Sequence, residues 1–314
     1  MRTAVPAPSA DRLKPADAAL LGMLATIWGL SFLFVSIGLR ALAPVWIVTA
    51  RTVVGGLVLA VVLAISRGRF PRRLRTWRHL AVLAATSNAL PWSLIAWAQQ
   101  SIPSGLAALV MALVPSATLA LSVAIGIERR TPARIAGLAL SLAGVVLIVI
   151  EDLSDAARAW GVLATVAAAM LYAVSGVYAK RYISGAARPL EIAASQVLCA
   201  AAFMVPVSLV FAPAPRWAAV DGAVVGAVLA LGAVGTGVAY IVLYRLIERS
   251  GATNTSLVAY LIPLVAVIAG AVVLGERLGI AALLGGGLVV AGIWTAQRTS
   301  PPPSDLDQVA SRPR

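Results

Sequence analysis

The sequence predicts an all-α integral membrane protein, with ten transmembrane helices arranged as a 5+5 inverted-topology repeat and both termini in the cytoplasm. Composition, a series of apolar runs and an internal repeat support this fold class. The 314-residue chain is 61% apolar and 12% charged, with a mean hydropathy of +0.94, whereas soluble domains are about half apolar and about a quarter charged. A soluble fold of this length could not bury so much apolar surface, so lipid must solvate it.

Ten apolar runs are long enough to cross a hydrocarbon core of roughly 30 Å at about 1.5 Å per residue. They fall at 18–39, 44–66, 80–99, 103–127 and 133–150, and again at 160–179, 190–211, 220–244, 251–274 and 280–297. The expected organisation is a disordered cytoplasmic N-tail over 1–15, a first five-helix repeat over 16–150, a second, inverted repeat over 151–298 and a disordered cytoplasmic C-tail over 299–314.

The basic residues indicate the orientation of the spans. If the N-terminus is cytoplasmic, only Arg40, Arg158, Arg216 and Arg277 lie in outer segments, and all other basic residues except Arg51 lie in cytoplasmic segments. This asymmetry follows the positive-inside rule. It also accounts for the net charge of +13, so no nucleic-acid partner is expected.

The most basic cytoplasmic loop runs from Arg67 to Arg78. We expect it to contact anionic lipid headgroups, although its role in orienting the chain is sufficient to explain its charge.

Cysteine and histidine usage excludes several classes of site. Cys199 and His79 are the single residues of their types, so an internal disulfide and a His/Cys metal cluster are both excluded. Cys199 lies in an apolar run and is expected to pack as a small hydrophobic residue. Neither a metal nor a cofactor is predicted.

Residues 105–147 correspond without a gap to residues 253–295. Because each copy contains an odd number of spans, the second must insert in the opposite orientation. The loops agree, since 67–79 is rich in arginine whereas its counterpart 212–220 carries only Arg216. The pairs that carry the correspondence are Pro115/Pro263, Glu128/Glu276, Arg129/Arg277, Gly137/Gly285 and Gly144/Gly292.

Four local patterns add a family resemblance. They are Trp28-Gly29-x-Ser31-Phe32 in the first span, Arg51 in the second, Gly232, Gly235 and Tyr240 in the eighth, and Pro263 followed by Gly275-Glu276-Arg277 in the ninth. The first-half copy of the last pattern departs slightly, as Gly126-Ile127-Glu128. Over residues 18–297 the chain resembles EamA-type members of the drug/metabolite transporter superfamily. The resemblance implies a ten-helix exporter of small metabolites without specifying the substrate.

Pro115 and Pro263 are predicted to break their helices. A proline in mid-span removes a backbone donor and frees a carbonyl of the preceding turn. Inside a bilayer, a freed carbonyl is tolerated where it faces protein or a water-lined cavity. Matched breaks therefore indicate a central site, with a purely structural kink as the alternative.

Glu128 and Glu276 lie at the ends of spans, not at mid-membrane. Thr131-Pro132 after Glu128 is typical of a helix start, and a carboxylate near such a start interacts favourably with the helix dipole. We predict a structural, helix-end role for both glutamates, with proton coupling as the alternative.

Polar and aromatic residues at spacings of three and four share single helix faces. Arg51 is the one charge clearly within a span, where it costs at least about 2.5 kcal/mol to insert, unless its side chain snorkels to the surface. Interhelical hydrogen bonding is the alternative role for the polar residues. The predicted substrate-pathway residues are Trp28, Ser31, Arg51, Asn88, Trp92, Tyr172, Ser175, Gln196, Thr236 and Tyr240.

These features predict a secondary transporter of small metabolites that works by alternating access, and the family resemblance implies that it is an exporter. No carboxylate lies at mid-span and no cluster of basic residues could hold a phosphate, which favours neutral or zwitterionic, amino-acid-like substrates. The alternatives are a membrane-embedded, lipid-modifying enzyme, for which no catalytic constellation is evident, and a scaffold. Expected partners are the substrate, the lipid bilayer and a second copy in a homodimer. The excess of arginine over lysine favours a bacterial plasma membrane.

The topology can be tested by cysteine labelling after replacement of Cys199 with serine. We expect Arg72→Cys to react with an impermeant maleimide only in inverted vesicles and Ala214→Cys only in intact cells, because matching loops of inverted halves face opposite sides. Labelling of position 72 in intact cells would overturn the assignment.

Overall fold

The computed structural model describes residues 14–126, 130–152, 155–183 and 185–297, and every regular element in these ranges is helical. Within these ranges, eight helices are long and apolar enough to cross a membrane, and two further apolar helices, Val258–Leu274 and Ile280–Ala296, are shorter. The helices are α1 (Pro15–Gly38), α2 (Pro44–Ile65), α3 (Leu74–Ala98), α4 (Ser104–Ala124), α5 (Pro132–Ile150), α6 (Ala156–Tyr182), α7 (Pro189–Phe211), α8 (Gly222–Gly251), α9 (Val258–Leu274) and α10 (Ile280–Ala296).

Several helices are longer or shorter than the apolar runs that predict them. α3 begins at Leu74 instead of residue 80, and α8 continues to Gly251 instead of ending at 244, because an apolar run marks the part in lipid and a helix can continue into water. Gly251 has a φ of 80°, a conformation that favours glycine, and α9 starts after it. Glu128, the first 13 residues and residues 298–314 lie outside the described residues.

Two helices contain a π-helical segment that the sequence did not predict. The segments are Ala84–Ala89 in α3 and Ala233–Val238 in α8, which occupy nearly matching places in the two halves. A π turn carries one residue more than an α turn and is common at functional sites. Each segment changes the direction in which the following part of its helix presents its side chains.

The two repeat prolines occupy different local structures. α4 is interrupted at Ala112 and Leu113 and resumes at Val114, so Pro115 lies in the first turn of a new segment, where its missing N–H costs little. Pro263 lies inside α9, which is continuous.

The helices pack in a reciprocal pattern. α1 contacts α8 and α9, and α6 contacts α3 and α4, while α2 packs on α7 and α5 packs on α10. When each helix is exchanged for the one five places away in the chain, this set of neighbours is unchanged.

Glycines allow close packing of α5 and α10. A Cβ atom added to Gly144 would overlap the carbonyl oxygen of Gly285, and one added to Gly137 would overlap that of Gly292. Small residues at such crossings let helix backbones approach each other in membranes. The residue pairs again exchange partners between the halves, as they would across a two-fold axis.

Large apolar side chains cover much of the outer surface. Ile65, Phe211 and Val272 are each more than three-quarters exposed, at 78%, 79% and 79%. Such a surface is suited to contact with lipid acyl chains.

The α5–α10 packing leads to a stability prediction. We expect Gly144→Ala to lower the free energy of unfolding in detergent by about 1–3 kcal/mol, because overpacking forces the backbones apart. Gly287→Ala on α10 is the matched control, since a Cβ there meets no atom within 4 Å. The control should be neutral or slightly stabilising, and equal stability of the two variants would contradict the prediction.

Candidate functional site

A cavity of about 440 Å³ lies at the centre of the helix bundle, between helices of both halves. This central cavity is bordered by both repeat prolines, Pro115 and Pro263. The predicted substrate-pathway residues that line it are Trp28, Ser31, Arg51, Trp92, Tyr172, Gln196 and Tyr240.

Arg51 connects α2 to the wall of the central cavity formed by α3 and α8. Its guanidinium carbon lies 3.9 Å from the centroid of the Trp92 ring, within the range of a cation–π interaction. Its Nε donates to Thr236 Oγ1 at 3.1 Å, and one Nη lies 3.5 Å from the carbonyl oxygen of Gly235. The residue is 9% exposed, so these contacts fix a buried cation.

The Trp92 ring is itself oriented by α6. Its Nε1–H donates to the hydroxyl oxygen of Tyr172 at 2.6 Å. Arg51, Trp92 and Tyr172 therefore form a continuous stack of contacts across three helices.

Two side-chain hydrogen bonds support the wall of the central cavity at Tyr240. Asn88 Nδ2 donates to the Tyr240 hydroxyl at 3.2 Å, and Gln196 Nε2 donates to Asn88 Oδ1 at 2.5 Å. Asn88 is fully buried. These hydrogen bonds link α3, α7 and α8 and fix the Tyr240 phenol, which borders the central cavity.

Three of the predicted substrate-pathway residues do not border the central cavity. Asn88 and Thr236 lie behind its wall and hold Tyr240 and Arg51, and Thr236 Oγ1 also contacts the Leu231 carbonyl oxygen at 3.2 Å. Ser175 is buried on α6.

The structure adds lining residues that were not predicted. Tyr244 follows Tyr240 by one helical turn, with 6.1 Å between the ring centroids, and the same spacing rule could have identified it. Ser87 and Gly235 both lie within the π segments, which the sequence did not predict, although Gly235 belongs to a pattern that carries the family resemblance. Apolar side chains complete the wall, among them Phe32, Met111 and Ile262.

Glu276 caps a helix of the other half. Its carboxylate accepts hydrogen bonds from the backbone N–H groups of Ser104 and Gly105, at 2.8 and 3.1 Å, and from the Ser104 hydroxyl at 3.0 Å. These donors lie at the N-terminus of α4, where the helix dipole favours a negative charge. Gly275, with a φ of 67°, ends α9 and directs Glu276 toward α4. Glu128 lies outside the described residues.

The chemistry of the central cavity is compatible with a small amphipathic solute. Its described lining residues include one guanidinium, several hydroxyl and indole groups, and a large apolar area, but no carboxylate. Convergent polar groups in a mainly apolar concavity are typical of small-molecule sites.

Comparison with known proteins agrees with this arrangement. The family model described as the EamA-like transporter family matches residues 17–150 and again 159–296. A solved crystal structure with 21% identity has a TM-score of 0.64 and covers 95% of this chain and 100% of its own, which supports the fold alone.

Relatives of this chain include named transporters. A probable terminal-alkyne amino-acid exporter of Streptantibioticus cattleyicolor is 27% identical, covering 86% of this chain and 90% of its own length. The inner membrane transporter YedA of Escherichia coli (strain K12) is 28% identical, with 89% of both chains covered. A probable amino-acid metabolite efflux pump of the same strain is 24% identical, covering 88% of this chain and 93% of its own length.

The apolar helices, the central cavity and the two matches to the family model lead to the same conclusion. The chain belongs to the EamA-like transporter family and is a multi-pass membrane transporter.

Proposed function

We propose that this transporter exports small, neutral or zwitterionic, amino-acid-like metabolites across a bacterial plasma membrane by alternating access. The observation that carries the proposal is the central cavity, whose wall combines residues of both halves of the chain around one buried cation. A site between two structurally related halves can open to either side when the halves rock against each other.

The inverted 5+5 repeat is part of this proposal. It is supported by the reciprocal neighbours of the helices and by the crossed glycine contacts between α5 and α10. A pseudo-two-fold relation of this kind gives two conformations of similar energy, because each half can adopt the arrangement of the other.

Contacts between the halves are found at both ends of the bundle. At the first end, where α1 begins and α8 ends, Arg249 Nε lies 2.6 Å from Asp17 Oδ1. At the second end, where α1 ends and α4 begins, Glu276 caps α4, and the Arg216 N–H donates to the Ala41 carbonyl oxygen at 2.9 Å. Alternating access requires such contacts to break at one end while they hold at the other.

The substrate class rests on the composition of the central cavity and on the named relatives. An aromatic, hydroxyl-bearing wall fits a small solute with both polar and apolar parts. Two relatives are named as a probable amino-acid exporter and a probable amino-acid metabolite efflux pump.

The proposed orientation places the Arg67–Arg78 loop in the cytoplasm, in contact with anionic headgroups. All six arginines of that segment, at positions 67, 69, 72, 73, 75 and 78, are exposed, as contact with lipid phosphates requires. The last two lie in the first two turns of α3, so only the first four belong to the loop. The inner membrane assignment of YedA supports the plasma membrane as the location.

The transport proposal can be tested with purified protein in liposomes loaded with a mixed panel of amino acids and related metabolites. We expect wild-type protein to release a subset of the panel and Trp92→Phe to release it about tenfold more slowly, because the variant loses a buried indole hydrogen bond worth roughly 1–2 kcal/mol. Trp97→Phe is the matched control, since Trp97 lies on the same helix and is 47% exposed. Failure of the wild-type protein to release any solute would refute the proposal.

The contact at the second end can be tested with Glu276→Gln. The substitution removes the negative charge from the α4 N-terminus, so we expect the free energy of unfolding in detergent to fall by about 1–2 kcal/mol. Glu248→Gln, at an exposed position on α8, should leave stability unchanged. Identical melting curves for Glu276→Gln and wild type would show that the cap contributes nothing.

A further inference from the structure

Arg51 is a buried cation whose wall provides no opposite charge. None of the described residues that line the central cavity is acidic. The contacts that hold Arg51 are the Thr236 hydroxyl, the Gly235 carbonyl and the Trp92 ring, and all three are neutral. Buried charges in proteins are normally paired, and a charge within a transmembrane segment is a mark of function.

The geometry also leaves part of the guanidinium available. The two hydrogen bonds from Arg51 to described residues use Nε and one Nη, while the residue itself borders the central cavity. A guanidinium presents five N–H donors in a planar fork that matches the two oxygens of a carboxylate. Donors that are not used by the protein can therefore pair with an anionic group inside the cavity.

The rest of the wall indicates what accompanies that anionic group. Trp28, Phe32, Met111 and Ile262 contribute apolar surface to the same cavity. A hydrated inorganic anion would gain nothing from these side chains, and a phosphate group carries about −1.5 to −2 charges at pH 7, more than a single cation offsets. A single fixed cation beside an apolar wall fits a monocarboxylate that carries an apolar or aromatic body.

From these observations we propose that Arg51 is the carboxylate-binding residue of the transport site, and that the substrates are small organic monocarboxylates with apolar bodies, including amino acids. This inference rests on the proposed function. It restricts the substrates to solutes that carry a carboxylate, and it extends them from zwitterions to monoanions. Trp92 keeps the guanidinium plane in place, and Thr236 directs its unused edge toward the substrate.

The same arrangement predicts which chemical analogues of a substrate are not bound. A carboxamide of equal shape cannot form the ion pair with Arg51. An amine without a carboxylate would place a second cation beside Arg51, with no acid in the described wall to offset it. Both the carboxamide and the amine should bind poorly, although the apolar part of each molecule fits the cavity as well as that of the carboxylate.

The experiment is calorimetric titration of the purified full-length protein in detergent with two matched pairs of probes. The first pair is L-phenylalanine and L-phenylalaninamide, and the second is 3-phenylpropanoate and 3-phenylpropanamide. We expect each carboxylate to bind about tenfold or more tightly than its amide, as the loss of a charge-assisted hydrogen bond implies. Because this comparison uses wild-type protein, it does not depend on the folding of any variant.

Variants then assign the preference to Arg51. Arg51→Gln should abolish the difference within each pair, and Arg51→Lys should retain part of it, because lysine keeps the charge without the planar fork. Arg245→Gln, which removes an exposed arginine of α8, should behave as wild type.

Three results would overturn the inference: equal affinity within the pairs, an undiminished preference in Arg51→Gln, or no binding of any probe. The liposome panel separates this failure from that of the proposed function. If other solutes are released by wild-type protein, transport stands and only the carboxylate inference fails, whereas release of no solute refutes both.

Discussion

The buried guanidinium of Arg51 is the constraint on which the arrangement of the centre depends. A cation at this depth in a bilayer is unfavourable unless neighbouring groups replace part of its hydration. Trp92 supplies a π face and Thr236 an oxygen, and each is held in turn by a further contact, to Tyr172 and to Leu231 respectively. One charge on α2 thus determines the positions of groups on α3, α6 and α8.

Polar contacts between helices lie around the central cavity, at the two ends of the bundle and also where α5 crosses α10. At that crossing the facing glycines bring the backbones together. The buried hydroxyl of Ser141 lies there too, 3.3 Å from the Val289 carbonyl oxygen and 2.8 Å from the Ser116 hydroxyl. Such pairing follows from the solvent, because an unsatisfied polar group within the bilayer would face hydrocarbon.

Much of this architecture is predictable from the sequence, because lipid imposes a minimum length on apolar segments and the repeat identifies corresponding positions. The sequence identifies Arg51 as the one charge clearly within a span, and Trp92, Tyr172 and Tyr240 as aromatic residues that share a helix face with a polar neighbour. The structure places all four around one cavity. Pro115 and Pro263 also border it, although a break accompanies only the first.

The remaining details depend on local geometry that periodicity does not reveal. The pairs Asn88/Trp92 and Thr236/Tyr240 would each share a face in an α-helix. A π segment that includes Asn88 or Thr236 changes the angle between the members of each pair. Consequently Trp92 and Tyr240 face the cavity, while Asn88 and Thr236 turn behind it. The capping of α4 by Glu276 could not be predicted from the sequence either, because it depends on tertiary packing between the halves.

The glycine contacts between α5 and α10 have a mechanical consequence. Where two helix backbones touch, as at Gly137/Gly292 and Gly144/Gly285, a change of side-chain rotamers cannot let the helices slide past one another. If the two halves rock against each other as proposed, α5 and α10 are suited to act as a stiff hinge between them.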